Sequence, residues 1–234
     1  MESLDHFRCE RKFLISSLSS QEIEEIVLLH PALFSSIYHE RFVNNIYFDN
    51  LEFLSFYENQ DGVTPRKKVR IRWYGDLSGQ IKEPVLEIKR KSGIVGSKDC
   101  YPFPGFIFEN FFSGTQILRT ANNNVGDPDL TAELALLEPT LINRYHRKYF
   151  LSADGNFRIT LDSSINFFPV QPFLPMFFSN GQIEPYCVLE LKYGHARDDK
   201  ASEVTKSFPF RLTKSSKYVS GVYKLYSSGN TSDQ

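Results

Sequence analysis

The chain has 234 residues with 27 basic and 28 acidic side chains, a formal net charge of −1. That balance excludes a generally basic binder of nucleic acid or anionic membrane, so any positive field has to be local. The 21 Phe and 12 Tyr are a heavy aromatic load of the kind a well-packed sheet protein uses. Residues 1–6 are acidic and lack an apolar run, which predicts neither a secretory signal nor a membrane anchor, and a cytoplasmic location. Cys9, Cys100 and Cys187 have no metal-ligand spacing and are expected to be reduced core residues.

Five stretches alternate between charged and apolar residues with the period of two that marks a strand buried on one face. They are residues 8–13, 68–73, 86–91, 157–162 and 189–193. In chain order, the first carries Arg8, Glu10 and Lys12 in its polar phase. Ser19 and Glu22 follow at capping-box spacing, then Ile23, Ile26, Val27 and His30 at helical spacing, predicting a short amphipathic helix stopped by Pro31. Residues 45–50 predict a strand running into a turn. Gly75, Asp76 and Gly79 separate the 68–73 strand from the strand over 85–91, so the two most basic strands are predicted to form a hairpin.

Residues 101–128 are rich in Pro, Gly and Asn and read as irregular; Leu130, Leu134 and Leu137 then predict a helix over 129–138, ended by Pro139. Ala153-Asp154-Gly155 is a turn signal between strands over 141–151 and 156–162, a second hairpin that carries Arg147 and Arg158. The uncharged run over 163–183 has the length of a membrane span, but Pro169, Pro172 and Pro175 forbid a regular helix, and it reads as an aromatic loop over an apolar surface. After the strand with Glu190 and Lys192, residues 198–206 predict a helix, and residues 210–218 add Lys214 and Lys217.

These strands form either solvated faces on an open surface or a closed sheet with the charged phase turned inward. The recurrence of paired bases on strand after strand favours the second. The predicted fold is α+β: one domain over residues 1–234, an antiparallel β-barrel tunnel with a basic lumen and helices packed outside. Arg70 and Arg72 sit in the cleanest alternation and are expected in the lumen, with Lys68 and Lys91 in the same phase toward a mouth. Arg144 has the opposite parity to Arg147, and His146 is next to it, so both are expected outside. Glu10 and Glu87 each lie two residues from a Lys on the same face, where they can pair with and orient those bases. The sequence contains no Gly-x-x-x-x-Gly-Lys loop, dinucleotide fingerprint or zinc-like His spacing.

Arg8-x-Glu10-x-Lys12, Val43-Asn44-Asn45-Ile46-Tyr47-Phe48-Asp49, Arg70-Ile71-Arg72-Trp73-Tyr74-Gly75, Leu86-Glu87-Ile88-Lys89, Arg144-Tyr145-His146-Arg147, Arg158-Ile159-Thr160-Leu161-Asp162, Val188-Leu189-Glu190-Leu191-Lys192 and Ser216-Lys217-Tyr218 occur in that order. In this series the chain resembles, over nearly its whole length, the vacuolar transporter chaperone (VTC) catalytic domain. That family of polyphosphate polymerases lies within the triphosphate tunnel metalloenzyme superfamily.

The resemblance implies transfer of the γ-phosphate of ATP to a growing polyphosphate chain, with Mn²⁺ or Mg²⁺ as cofactor. It implies that Lys12, Arg70, Arg72, Lys89, Arg147 and Arg158 do the catalytic handling of phosphate, and that Arg8, Lys68, Lys91, Lys192, Lys214 and Lys217 bind substrate. Glu190 is the principal metal ligand it implies, with Glu10 and Glu87 as further candidates. The expected partners are ATP and inorganic polyphosphate, with no nucleic acid and no membrane span in this chain. Arg8 departs from the superfamily's opening Glu-x-Glu-x-Lys, replacing a carboxylate with a cation. Triphosphate hydrolysis and non-catalytic polyphosphate binding are the alternatives on the same tunnel.

Overall fold

The computed structural model describes residues 8–92, 95–109, 117, 120, 128–170 and 181–227. In chain order these form β1 (Arg8–Ile15), α1 (Ser20–Leu28), β2 (Ser35–Ser36), β3 (Arg41–Asp49), α2 (Leu54–Asp61), β4 (Arg66–Tyr74), β5 (Gly79–Ile81), β6 (Val85–Ser92), β7 (Val95–Pro102) and β8 (Phe106–Phe108). There follow α3 (Pro128–Leu134), β9 (Glu138–Leu151), β10 (Phe157–Pro169), β11 (Gln182–Ile183), β12 (Cys187–Gly194), a 3-10 turn (His195–Arg197), α4 (Asp198–Lys206) and α5 (Lys217–Val222). The fold is mixed α/β and dominated by antiparallel sheet. Ten strands form one sheet in the order β1-β12-β10-β9-β3-β4-β6-β7, with β2 added to β9 and β11 to β10; β5 and β8 form a separate ribbon. The two ends of this order come together: β7 lies against β1, and Lys89 of the adjoining β6 donates to Glu10 of β1 at 3.0 Å. The sheet is therefore curled, and its two faces have different chemistry.

The convex face takes the apolar phase. Phe13, Ile159, Leu161, Leu189 and Leu191 pack with Ile23 and Val27 of α1 and Ala201 of α4. Ile46, Val69, Ile71, Trp73, Leu86 and Ile88 pack with Leu130 and Leu134 of α3. Burying each such side chain contributes about 1.5–3 kcal/mol, so the helices act as the cover that an apolar outer phase requires. The Ser19–Glu22 capping box forms as the spacing predicts. Arg11 and Arg90 break the alternation of their strands, and both lie in the convex phase with their own acids, Asp198 at 3.0 Å and Asp99.

Several expectations are corrected. α3 stops at Leu134, because Glu138 and Pro139 already belong to β9; Pro139 sits at a register shift against β3, where a missing N–H is tolerated. The run over 163–183 is not a loop at its start, since residues 163–169 complete β10, while the rest of the Pro- and Phe-rich segment over 171–180 lies outside the described residues. Part of the stretch read as irregular forms the end of β7 and β8. His30 lies beyond α1 and is buried against Phe34 and Phe208, its Nε2 bonded to the Val204 carbonyl oxygen at 3.0 Å. Among the cysteines only Cys187 is buried; Cys9 is half-buried and Cys100 exposed.

The concave face is apolar at one end and charged elsewhere. A bulge between Ser163 and Asn166, with Ser164 in the left-handed region at φ 49°, shifts the phase of β10. Asp162 and Phe167 therefore both face inward although they are five positions apart. Beyond the bulge, Ile165 and Phe167 join Val43, Tyr47, Leu141 and Val188 as a seat for Tyr218 and Val222 of α5. Gly221 lets the helix sit this close: a Cβ there would meet Phe167 at 2.7 Å and Leu141 at 2.8 Å. Polar contacts fix the start of α5, where Lys217 bonds to Asp162 and the Tyr218 hydroxyl to Asp49. Asp49 also accepts from the backbone N–H groups of Ser55 and Phe56 at the start of α2, at 2.9 and 3.0 Å.

Asp162 is fully buried, and burial works against its charge, yet Arg147 and Lys217 outweigh that cost and hold its pKa at about 2. The stability this ion trio contributes is present above the unfolded carboxylate value and is lost as pH falls from about 4 through 2. Asp162→Asn is expected to destabilise the protein at pH 7 by about 3–5 kcal/mol in urea denaturation, with the gap to wild type narrowing at pH 3. Gly221→Ala is expected to cost about 1–3 kcal/mol through overpacking. An unchanged melting temperature for that variant would remove α5 from its assigned seat.

Candidate functional site

Side chains converge on the concave face from six strands of the sheet and from α5. β1 contributes Glu10 and Lys12, β12 Glu190 and Lys192, and the register places Lys12 opposite Glu190 and Glu10 opposite Lys192. β4 contributes Lys68, Arg70 and Arg72; β6 contributes Glu87, Lys89 and Lys91. Arg147 on β9 faces Asp162 on β10. The period-two alternation puts them on one face; the curl of the sheet brings them together.

Three carboxylate-centred clusters organise these cations. Glu87 accepts from Arg70 Nε at 2.7 Å and Lys98 Nζ at 2.9 Å, and lies 3.6 Å from Arg72 Nη1. Burial opposes ionisation of Glu87, but Arg70 and Arg72 hold its pKa far below the usual carboxylate range. Asp162 takes Arg147 in a bidentate pair at 2.5 and 2.7 Å and also bonds Lys217. Glu190, 6% exposed, lies 3.7 Å from Lys12 and 3.6 Å from Lys192. Burial would raise its pKa, yet Lys12, Lys192 and Arg147 drive it well below the ordinary value, so it stays ionised. Lys12 also lies 3.5 Å from Glu10 and donates to the Ser215 carbonyl oxygen at 3.3 Å.

A second row of cations lacks such partners. Among the described residues, Arg66, Lys68 and Lys91 have no carboxylate within ion-pair distance. Among the described residues Lys68 donates only to Ser216 Oγ, at 2.8 Å. Burial first, and then Lys12, Lys89, Arg66 and Arg70, push the Lys68 pKa well below its ordinary value. Lys91 is lowered by burial and by Arg66 and Lys89. An anion placed here would restore the balance.

The concave face thus gathers Lys12, Lys68, Arg70, Arg72, Lys89, Lys91, Arg147, Lys192 and Lys217 with Glu10, Glu87 and Glu190. Arg158 shares the phase of Lys192 but is exposed at the rim, and Lys214 is exposed on the segment before α5. The side chain of Arg8 lies outside the described residues. Arg144 is on the convex face, its guanidinium 4.0 Å from the Phe42 ring, and His146 is beside the same ring.

Sequence reasoning missed Asp162 as the anchor of Arg147, although it stands in the polar phase. It also missed Lys98, which lies in a strand with weak alternation, and the neutral partners of Arg72. The Asn45 oxygen accepts from Arg72 Nε at 2.9 Å and the Tyr145 hydroxyl from its Nη2 at 3.3 Å. Tyr145 also lies under Arg147 and Lys217, at 5.0 and 4.6 Å from its ring centre.

For a divalent cation the donor chemistry is restrictive. Among the described residues no group of three or more His, Cys, Asp and Glu side chains converges. Glu190 and Glu10 do approach each other around Lys12, and two carboxylates fit a hard cation that takes its remaining ligands from water and phosphate. Glu87 is occupied by Arg70, Arg72 and Lys98.

Among the described residues no helix is long and apolar enough to cross a membrane. No curated protein sequence matches the chain. Among solved structures it is similar to the PH1819 protein from Pyrococcus horikoshii, with a TM-score of 0.51 and 13% identity over 93% of this chain and 99% of that one. It is also similar to a candidate adenylate cyclase from Vibrio parahaemolyticus, with a TM-score of 0.50 and 12% identity over 90% of this chain and 94% of the other. At these identities the likeness is one of fold. The VTC domain model matches residues 7–226, nearly the whole chain, and the chain therefore belongs to the VTC domain family.

Proposed function

We propose that this chain is a polyphosphate polymerase whose sheet closes as a barrel around a basic tunnel. A terminal oxygen of polyphosphate attacks the γ-phosphorus of ATP, the bond to the β–γ bridging oxygen breaks, and ADP leaves while the polymer gains one unit. The observation that carries this reading is the unbalanced row Arg66, Lys68 and Lys91, which extends the cationic face past the carboxylate-centred clusters. A triphosphate alone does not need that extension; a longer polyanion does. Family membership supports the same reading.

Phosphoryl transfer asks the protein for alignment and charge neutralisation rather than covalent chemistry. Asp162 holds two nitrogens of Arg147 and leaves its third free for phosphate oxygen. Glu87 and Asn45 similarly fix the planes of Arg70 and Arg72, so the donors need little reorganisation during reaction. Lys12 and Lys217 add point charges around the transferring group. Glu190 and Glu10 would hold Mn²⁺ or Mg²⁺, which when bound supplies Lewis-acid neutralisation of the leaving diphosphate. The three cysteines are free thiols, consistent with work in the reducing cytoplasm where ATP is available. The seating of α5 at one end of the concave face favours a second reading, hydrolysis of a short triphosphate in a tunnel closed at that end.

Purified protein incubated with ATP and Mn²⁺, with polymer, free phosphate and ADP followed together, separates the two. Polymer with equimolar ADP is expected; phosphate and ADP without polymer would replace polymerisation by hydrolysis. Arg72→Ala is expected to lower kcat by about 10²–10³, the loss typical of one preorganised charge donor. Glu190→Gln is expected to abolish the response to metal while the protein still binds tripolyphosphate in calorimetry.

Lys68 gives a pH signature. An anion binds its charged form, so affinity is level below the lowered pKa of free Lys68 and falls as pH rises through it, well before an ordinary lysine titrates. Titrations of tripolyphosphate between pH 7 and about 10 are expected to show this decline. Lys68→Arg, which keeps its charge, is expected to flatten it; the same slope in both proteins would exclude Lys68 as the source.

A further inference from the structure

The clusters described so far meet only the phosphates of a nucleotide. At the end of the concave face away from α5, β3, β4 and β9 bring Arg41, Tyr74 and Tyr149 into the same inward phase. The Arg41 guanidinium lies 3.9 Å from the Tyr74 ring centre and 5.2 Å from that of Tyr149, and its Nε donates to the Tyr149 hydroxyl at 3.1 Å. Tyr38 meets Tyr149 edge to face, with ring centres 5.7 Å apart.

Core packing accounts for Tyr149, which is buried at the back of the group, but not for Tyr74, 44% exposed, or Tyr38, 58% exposed. Ion pairing does not either, since among the described residues Arg41 has no carboxylate within ion-pair distance. Its position is informative: Arg41 is directly across the ladder from Arg147, and Tyr74 is two residues beyond Arg72, roughly 7 Å along the strand. Layered planar π and guanidinium surfaces, open to solvent beside phosphate grips, are what a nucleobase stacks on.

We propose that Arg41, Tyr74, Tyr149 and Tyr38 form a platform that takes the base of a nucleoside triphosphate by stacking, while its phosphates run inward past Arg147 and Arg72. This rests on reading the concave face as a triphosphate site. The platform offers ring faces rather than a pattern of donors and acceptors, so it distinguishes a nucleotide from an inorganic triphosphate without selecting one base.

Calorimetric titration in EDTA, which suppresses turnover, with ATP and with inorganic tripolyphosphate tests it. Tyr74→Ala is expected to weaken ATP binding roughly 5- to 100-fold and to leave tripolyphosphate binding unchanged. Tyr74→Phe, which keeps the ring, is expected to bind ATP as wild type does. Equal weakening of both ligands by Tyr74→Ala, or no change in either, overturns the platform while leaving the phosphate site standing. Wild-type protein that binds neither ligand overturns the triphosphate reading, and the platform falls with it.

Discussion

Like charges crowded onto one concave surface repel, and most of this architecture is arranged around that repulsion. Two unit charges about 4 Å apart near a protein surface interact by roughly 4 kcal/mol, so Lys12, Arg70, Arg72, Arg147, Lys192 and Lys217 could not share a face unassisted. Glu87, Asp162 and Glu190 are the assistance. Each is buried at a cost, and each is kept ionised by the cations around it. Folding therefore neutralises the middle of the face and fixes the orientation of its guanidinium groups. It does not neutralise Arg66, Lys68 and Lys91, and the charge left over is a standing demand for an external anion.

The same strands solve two problems at once. Alternation gives each a charged inner side and an apolar side for α1, α3 and α4, so charge clustering and core packing need not compete for positions. Where the phase matters most, the exceptions are resolved locally: Arg11 and Arg90 fall on the outer face and find Asp198 and Asp99 there. α5 is different, because it packs on the inner face and carries the cation Lys217 with it. Its apolar seat and the bond between Lys217 and Asp162 make the position of that cation depend on the helix being docked.

Much of this was legible from pattern alone. Strand existence, the β4–β6 and β9–β10 pairings, the capping box and the inward phase of Arg70, Arg72 and Glu190 follow from period and turn chemistry, because those are local signals. What was not legible is long-range or exceptional. No local rule says that Asp162 rather than Glu190 receives Arg147, since both stand in polar phases and only strand register decides. Pro139 reads as a helix stop until β3 supplies a register shift that tolerates it. The uncharged run after Asp162 reads as a loop because its prolines forbid a helix, and only pairing with β9 reveals that its first residues continue β10 through a bulge. Lys98 escaped because β7 lacks the clean alternation of its neighbours.

That bulge works as a change of gear within a single strand. On one side of Ser164, β10 turns Asp162 to Arg147; on the other, it turns Ile165 and Phe167 to a helix. A substitution near it alters one side chain, whereas loss or gain of a single residue would rotate everything downstream by half a turn, swinging Ile165 and Phe167 outward and bringing their polar neighbours into the seat of α5. The length of this short segment thus carries information that its composition does not, and variation in this region of the chain is constrained in count more tightly than in kind.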